Sequence, residues 1–457
     1  MNIETKAVPA WLRYLPPSLR ARVLSHPNLV KILSNIAWLF SDTALRMCVG
    51  LFVGVWVARY LGPDNFGLLN YAVAFVSLFS AIATMGLQDI VVREIVRNPT
   101  SGPEVMGTSF VLRAAGGLIA FMLILGTVNF LHSDEAFTIS IIVIVGFTLV
   151  FQASEVIKYW FESQVQSKYN IWVQNGVFLI FATVKILLIV SKAPLLAFVW
   201  VIFAEGLMVA IGLIVIYLWR GGKLSAWSPG FKRGKRLLRD SWPLFLSAIA
   251  VTIYMRIDQI MLGQLLGNKA VGLYSAAVRI SELWYFIPIA IVASVFPSLL
   301  ETRKISEEVY IRRLQRLYDL MVLLSLAVAL PMTFLSDRVV LLLFGPSYAD
   351  AGAVLAIHIW AAVFVFLGVA SSKWFIAENR QMLSLQRTLL GVLVNIVLNL
   401  IMIPKFGIIG AAYATIFSQA FAALFFDVMQ KATRPMFAMK LRSLNILRFA
   451  RYVQGDR

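Results

Sequence analysis

The chain is poor in the residues from which soluble enzymes build their sites. It carries one cysteine, Cys48, and three histidines, His26, His132 and His358, in 457 residues. A lone thiol cannot close an internal disulfide or build a cysteine cluster. Three histidines scattered over an N-terminal arm, a loop and an apolar span do not share a metal, so no metal and no cofactor are expected. Charge is scarce as well: 14% of residues are charged, against about 25% in a soluble domain. The deficit falls mainly on acids, with 23 Asp and Glu against 41 Lys and Arg and a net charge of +18. Such a balance points to nucleic acid only where the cations form a continuous soluble surface. Here they lie between apolar runs, and no nucleic-acid partner is expected.

What the chain has is hydrophobic length. Apolar residues make up 60% of it, and the mean hydropathy is +0.81. A helix needs roughly 20 apolar residues to cross the hydrocarbon. Twelve stretches qualify, at about 29–59, 65–88, 108–131, 136–156, 169–190 and 196–219, then 242–266, 270–300, 318–336, 353–375, 387–403 and 407–430. Together they leave no room for a sizeable soluble domain.

Basic residues test that count, because they are retained on the cytoplasmic side. With the N-terminus inside, that side receives Lys6, Arg13, Arg20, Arg22 and Lys31, then Arg93, Arg97, Lys158 and Lys168. It also receives the run from Arg220 to Arg239, then Arg303, Lys304, Arg312, Arg313, Arg316, Arg380 and Arg387, and the tail from Lys431 to Arg457. The opposite side receives only Arg59, Lys192, Lys269, Arg338 and Lys405. An error of one span would scramble this division. The chain therefore reads as a basic cytoplasmic arm (1–28) without a signal-peptide core, a first lobe (29–219), a basic cytoplasmic linker (220–241), a second lobe (242–430) and a basic cytoplasmic tail (431–457).

A short pattern recurs between the lobes. Leu61-Gly62 with Gly67-Leu68 is matched by Leu266-Gly267 with Gly272-Leu273, each 205 positions later. Each copy follows the first helix of its half, and six helices per half give both halves the same orientation.

Three further stretches carry a resemblance. One runs from Arg256-Ile257-Asp258-Gln259 through Met261-Leu262-Gly263 and Gly272-Leu273-Tyr274 to Arg279-Ile280-Ser281-Glu282. A second is Leu343-Phe344-Gly345 with Tyr348 and Ala351. The third is Asn395, Asn399, Ile403-Pro404, Gly407, Gly410-Ala411-Ala412 and Ala414-Thr415. In order and spacing they resemble the polysaccharide-export family, the O-antigen flippase branch of the superfamily that also holds multidrug exporters and lipid II flippases. The resemblance implies an all-α membrane protein of MATE-like fold, with two six-helix lobes in a V around a central cavity. It also implies alternating-access translocation of a polyprenyl-diphosphate-linked oligosaccharide, such as an O-antigen unit, across the inner membrane. Membrane lipids, a coupling proton or cation and polysaccharide assembly partners are the other implied partners. A multidrug exporter, which would favour acidic and aromatic lining, and a membrane-embedded polymerase or glycosyltransferase are the alternatives.

Charged residues within spans are the site candidates, since an arginine at a helix centre costs about 2.5 kcal/mol or more and normally faces a polar cavity. Arg256 lies near the middle of the seventh helix with no acid one turn away, and Asp258, two residues on, points elsewhere. Arg46 has Asp42 at i−4 and Arg279 has Glu282 at i+3, so each is either paired locally or free for ligand. Lys185 has no acid at helical spacing on its own helix, and its stem would snorkel toward the outer interface. Lys373 and Arg113 lie nearer the cytoplasmic ends, where snorkelling is the ordinary outcome. Arg256, Arg46, Arg279, Lys185 and Lys373 are thus the expected cavity cations, and guanidinium forks match phosphate oxygens. Asp42, Asp258 and Glu282 either couple transport to an ion or neutralise neighbouring cations. Asn395 and Asn399 share one helical face and suit interhelical hydrogen bonding, and the small residues from Gly407 to Ala414 suit close packing.

Overall fold

The computed structural model describes residues 27–445 except residue 379, and the arm expected at 1–28 falls almost wholly outside them. Among the described residues there is helix and no strand. The first half contains α1 (Pro27–Thr84), α2 (Gln88–Arg97), α3 (Gly102–Leu131), α4 (Ala136–Phe151), α5 (Val156–Ser163), α6 (Lys168–Val190) and α7 (Leu195–Trp219). The second contains α8 (Phe231–Leu266), α9 (Asn268–Glu282), α10 (Phe286–Ile305), α11 (Glu307–Phe344), α12 (Ala351–His358), α13 (Ala361–Ala377), α14 (Gln381–Ala420), α15 (Phe426–Met429) and α16 (Arg434–Leu444). A π-helical turn, Phe421–Phe425, joins α14 to α15.

Among the described residues, ten helical segments are long and apolar enough to cross a membrane. Two of them are broken, at Gly62 inside α1 and at Gly407 inside α14, and dividing each at its glycine gives the twelve spans expected. Side chains such as Phe130 (86% exposed) and Phe334 (82%) stand on the outside of the bundle. Exposed aromatic surface of this kind is a liability in water and suits hydrocarbon. The protein is a multi-pass membrane protein.

The glycine breaks explain the recurrent sequence pattern. Gly62 (φ 71, ψ 170) and Gly267 (φ 83, ψ −178) adopt the same backbone conformation, one that side chains with a Cβ essentially never take. Each lets one span stop and the next begin without a loop. The partner glycines do something different. A Cβ on Gly67 would overlap the Asn268 carbonyl and stand 2.8 Å from the Gly272 nitrogen, while one on Gly272 would overlap the Pro63 carbonyl. The two copies of the pattern therefore cross one another, backbone on backbone, where α1 meets α9. The halves are also tied by hydrogen bonds on this far face of the bundle: Tyr348 there donates to the Ala58 carbonyl at 2.8 Å, and Gln264 donates to the Tyr71 hydroxyl at 2.6 Å.

At the opposite, basic face, the stretch expected as a plain linker is half helix. Residues 231–241 run unbroken into α8, and their underside grips the first half: Arg93 reaches Asp240 at 2.7 Å, and Arg233 reaches Glu104 at 3.0 Å and Glu94 at 3.5 Å. The described part of the expected tail, 431–445, likewise packs against the bundle. Lys440 on α16 is fully buried and bonds Asp427 at 2.7 Å, while Gln315 and Asp319 of α11 engage Ser443. Desolvation lowers the Lys440 ammonium to about 8, against the raising effect of Asp427. A basic residue counted with the tail is thus an interior ion pair, because α16 folds back under α11 and α15.

Candidate functional site

Charged side chains converge where α1, α6 and α7 meet α9. There a cavity of about 270 Å³ is lined by Gly50, Gly54, Phe66, Phe178, Lys185 and Arg279, among others. Arg279 comes from the second half and crosses into the first. Its guanidinium lies over the Phe66 ring at 5.6 Å and against Gly54, where any Cβ would collide with it. The local pairing with Glu282 open at i+3 is not made, and among the described residues Arg279 enters no ion pair. The reason is direction: α9 presents Arg279 to the first half, and Glu282, at the helix end, turns toward Asp258 and Tyr285 in the second.

Lys185 departs from the expected snorkelling. It bonds Glu205 of α7 at 2.8 Å, and the pair forms a wall between this cavity and a second of about 270 Å³ lined by Glu155 and Glu205. Arg113 departs in the same way. It is completely buried, reaches Glu155 at 2.9 Å and also bonds the Tyr159 hydroxyl. Both acidic partners sit on a neighbouring helix, where spacing along one helix cannot reveal them. Glu155 and Glu205 are therefore the site residues that sequence reasoning missed. Their signal was available: each is a carboxylate inside an apolar run, which demands a counter-charge.

Arg46 pairs with Asp42 at 2.8 Å and lies 5.3 Å from the centre of the Phe178 ring, so it flanks the cavity while its charge is largely matched. Arg256 is half-buried, belongs to no ion pair among the described residues, and lies within electrostatic range of Arg279 and Glu282. Lys373 lies 5.6 Å from the Phe296 ring centre in the second half.

Asp258 has a different environment. It is buried, and three neutral donors satisfy it: Tyr274 at 2.7 Å, Thr415 at 2.6 Å and Asn399 at 2.6 Å. Asn399 also donates to Asn395 at 3.1 Å, and Asn395 to Ser418 at 3.3 Å. The asparagines do bond across helices, and what they hold in place is a carboxylate among hydroxyls and amides drawn from α8, α9 and both limbs of α14. Glu282, His358 and Tyr254 line the same small space.

A twelve-span bundle in two glycine-hinged halves, with cations concentrated at their junction, defines the class as a two-lobed membrane protein of MATE-like fold. A family model described as polysaccharide biosynthesis protein matches residues 32–303, more than half of the sequence, and the MatE model matches 243–401. The chain belongs to the polysaccharide biosynthesis protein family. Among its relatives, the "Probable low-salt glycan biosynthesis flippase Agl15" of Haloferax volcanii is 24% identical over 389 residues, covering 81% of this chain and 77% of the relative. The "Putative O-antigen transporter" of Shigella flexneri is 27% identical over 336 residues, covering 70% and 78%. Among solved structures, the inward-facing conformation of a multidrug resistance MATE family transporter superimposes with a TM-score of 0.68 at 16% identity, over 85% of this chain and 95% of that one.

Proposed function

We propose that this protein carries a polyprenyl-diphosphate-linked oligosaccharide across the cytoplasmic membrane by alternating access, without making or breaking a covalent bond. The observation that carries the reading is the position of Arg279. A guanidinium that enters no ion pair among the described residues, held in a cavity at the lobe junction, is costly in a membrane unless an anion visits it. A diphosphate crossing a low-dielectric interior needs such fixed positive charge. Arg256 extends that charge along the junction, Lys185 and Arg46 supply cations already balanced by Glu205 and Asp42, and Lys373 is a further candidate cation in the second lobe. Family membership and the glycan-related names of the relatives support the same substrate class.

In this reading the basic face lies in the cytoplasm with both termini, following the asymmetry of lysine and arginine. Reporter fusions after Pro229 should read cytoplasmic, and fusions after Asp134 or Asn268 external; inversion at any of the three would require the orientation to be redrawn. Asp258, held by neutral donors, is the coupling residue of choice for a proton or cation, whereas Asp42 neutralises Arg46.

The test uses purified protein in proteoliposomes with a labelled lipid-linked oligosaccharide. The label should change leaflet with its glycan unlengthened, and movement should respond to an imposed ion gradient in the wild type but not in Asp258→Asn. A lengthened glycan would indicate a polymerase, and competition by cationic drugs would favour an exporter. Unchanged gradient dependence in Asp258→Asn would remove Asp258 from coupling while leaving transport itself standing.

A further inference from the structure

The first three turns of α8 divide into three stripes. Gly234, Leu237 and Ser241 are buried against the first lobe, beside the Arg233 pairs. Lys232, Lys235, Arg236 and Arg239 recur at i, i+3, i+4 and i+7, so they share one face, and all four are exposed. Among the described residues the first three enter no ion pair, and Arg239 only approaches, at 4.0 Å, an Asp240 already bonded by Arg93 at 2.7 Å. Between these stripes lies a third that is apolar and exposed: Phe231 (89%), Leu238 (38%) and Trp242 (51%).

A groove of about 450 Å³ opens along the apolar stripe. Val111 and Leu112 of α3 form one wall and Phe231 and Leu238 the other, Gly234 forms the floor, and Lys235 stands at the rim. Gly234 matters because the helices approach closely there: an added Cβ would lie 3.4 Å from Thr108 Cγ2. The groove is separate from the junction cavity and shares no lining residue with it.

We propose that this groove binds an anionic phospholipid of the surrounding bilayer, with an acyl chain between α3 and the start of α8 and its phosphate on the cationic stripe. The argument is complementarity of two kinds on adjacent faces of one helix. An apolar channel beside four cations fits an amphiphile with an anionic head, and basic amphipathic helices at a membrane surface bind anionic lipid through this combination. Neither a free phosphate, which has no use for the channel, nor a neutral lipid, which has no use for the cations, accounts for both. Because this helix grips Glu94, Glu104 and Arg93 of the first lobe, the lipid would sit on the strap joining the lobes. The inference does not depend on what the protein transports.

The full chain, purified in nonionic detergent, is titrated with dioleoyl phosphatidylglycerol or dioleoyl phosphatidylcholine, and bound lipids are counted by native mass spectrometry. One phosphatidylglycerol should bind with high preference over phosphatidylcholine. The K232Q/K235Q/R236Q/R239Q variant should weaken that event at least tenfold, as should L238Q, which leaves every charge in place. Neutralising Arg97 and Lys223 instead should change it less than twofold, and excess inorganic phosphate should not displace the lipid. Wild-type affinity in the quadruple variant or in L238Q would overturn the proposal. So would displacement by inorganic phosphate, which would mark a plain anion site.

Discussion

Arg279→Gln should reduce transport of a lipid-linked oligosaccharide by at least tenfold, while Arg279→Lys should keep a measurable part of it. A hydrogen bond to a charged group is worth about 1.5–3 kcal/mol, and each 1.4 kcal/mol is a factor of about ten. Lysine preserves the charge but loses the planar fork that engages two phosphate oxygens at once. A purely structural role predicts a different pattern. Arg279 is in no ion pair among the described residues, so its removal breaks no salt bridge there, and membrane abundance should stay near wild type. Gly54→Val should act in the same direction, because a side chain at that position would occupy the space of the guanidinium. Initial rates in proteoliposomes, normalised to protein recovered in the membrane, decide the matter. Full activity of Arg279→Gln at normal abundance would remove this residue from the substrate path.

The second large effect is expected at the glycine crossing. Gly272→Val should abolish most transport and lower the thermal unfolding temperature, because its side chain would be forced into the Pro63 carbonyl and the Gly67 backbone. Backbone atoms cannot rotate aside as a flexible side chain can, so the halves must separate at the far face or the fold must strain, and overpacking of this kind typically costs 1–3 kcal/mol. Gly126→Val on α3 is the matched control, since nothing lies within 4 Å of a Cβ there. It should behave as wild type in both measurements. Normal transport and stability in Gly272→Val would show that the crossing can open at no cost.

These expectations separate what the sequence could show from what it could not. Apolar length revealed the spans, and the glycine pattern at 62–68 and 266–273 marked the places where one span ends and the next begins. The divergence of Arg256 and Asp258 also followed from helical geometry alone, and Asp258 does sit in its own polar nest. The partners of Lys185, Arg113 and Lys440 did not follow. Each lies on a different helix, at Glu205, Glu155 and Asp427, and periodicity along one helix carries no information about which neighbour it meets. Arg279 and Glu282 illustrate the converse: suitable spacing suggested a pair, yet Arg279 lines the junction cavity while Glu282 lines the space around Asp258. The helical character of 231–241 was hidden by its charge, which reads as loop until its three stripes are separated.

The central claim, that the protein moves a lipid-linked glycan, is tested most directly by leaflet accessibility. Proteoliposomes containing the purified protein and a fluorescent polyprenyl-diphosphate oligosaccharide are exposed to a membrane-impermeant glycan-cleaving enzyme. In protein-free vesicles only the outer-leaflet half of the label should be cleaved. With the wild-type protein, cleavage should proceed toward completion at a rate that rises with protein content and falls at least tenfold in Arg279→Gln. A plateau at the protein-free level, under conditions where the vesicles remain sealed and the protein folded, would contradict the account.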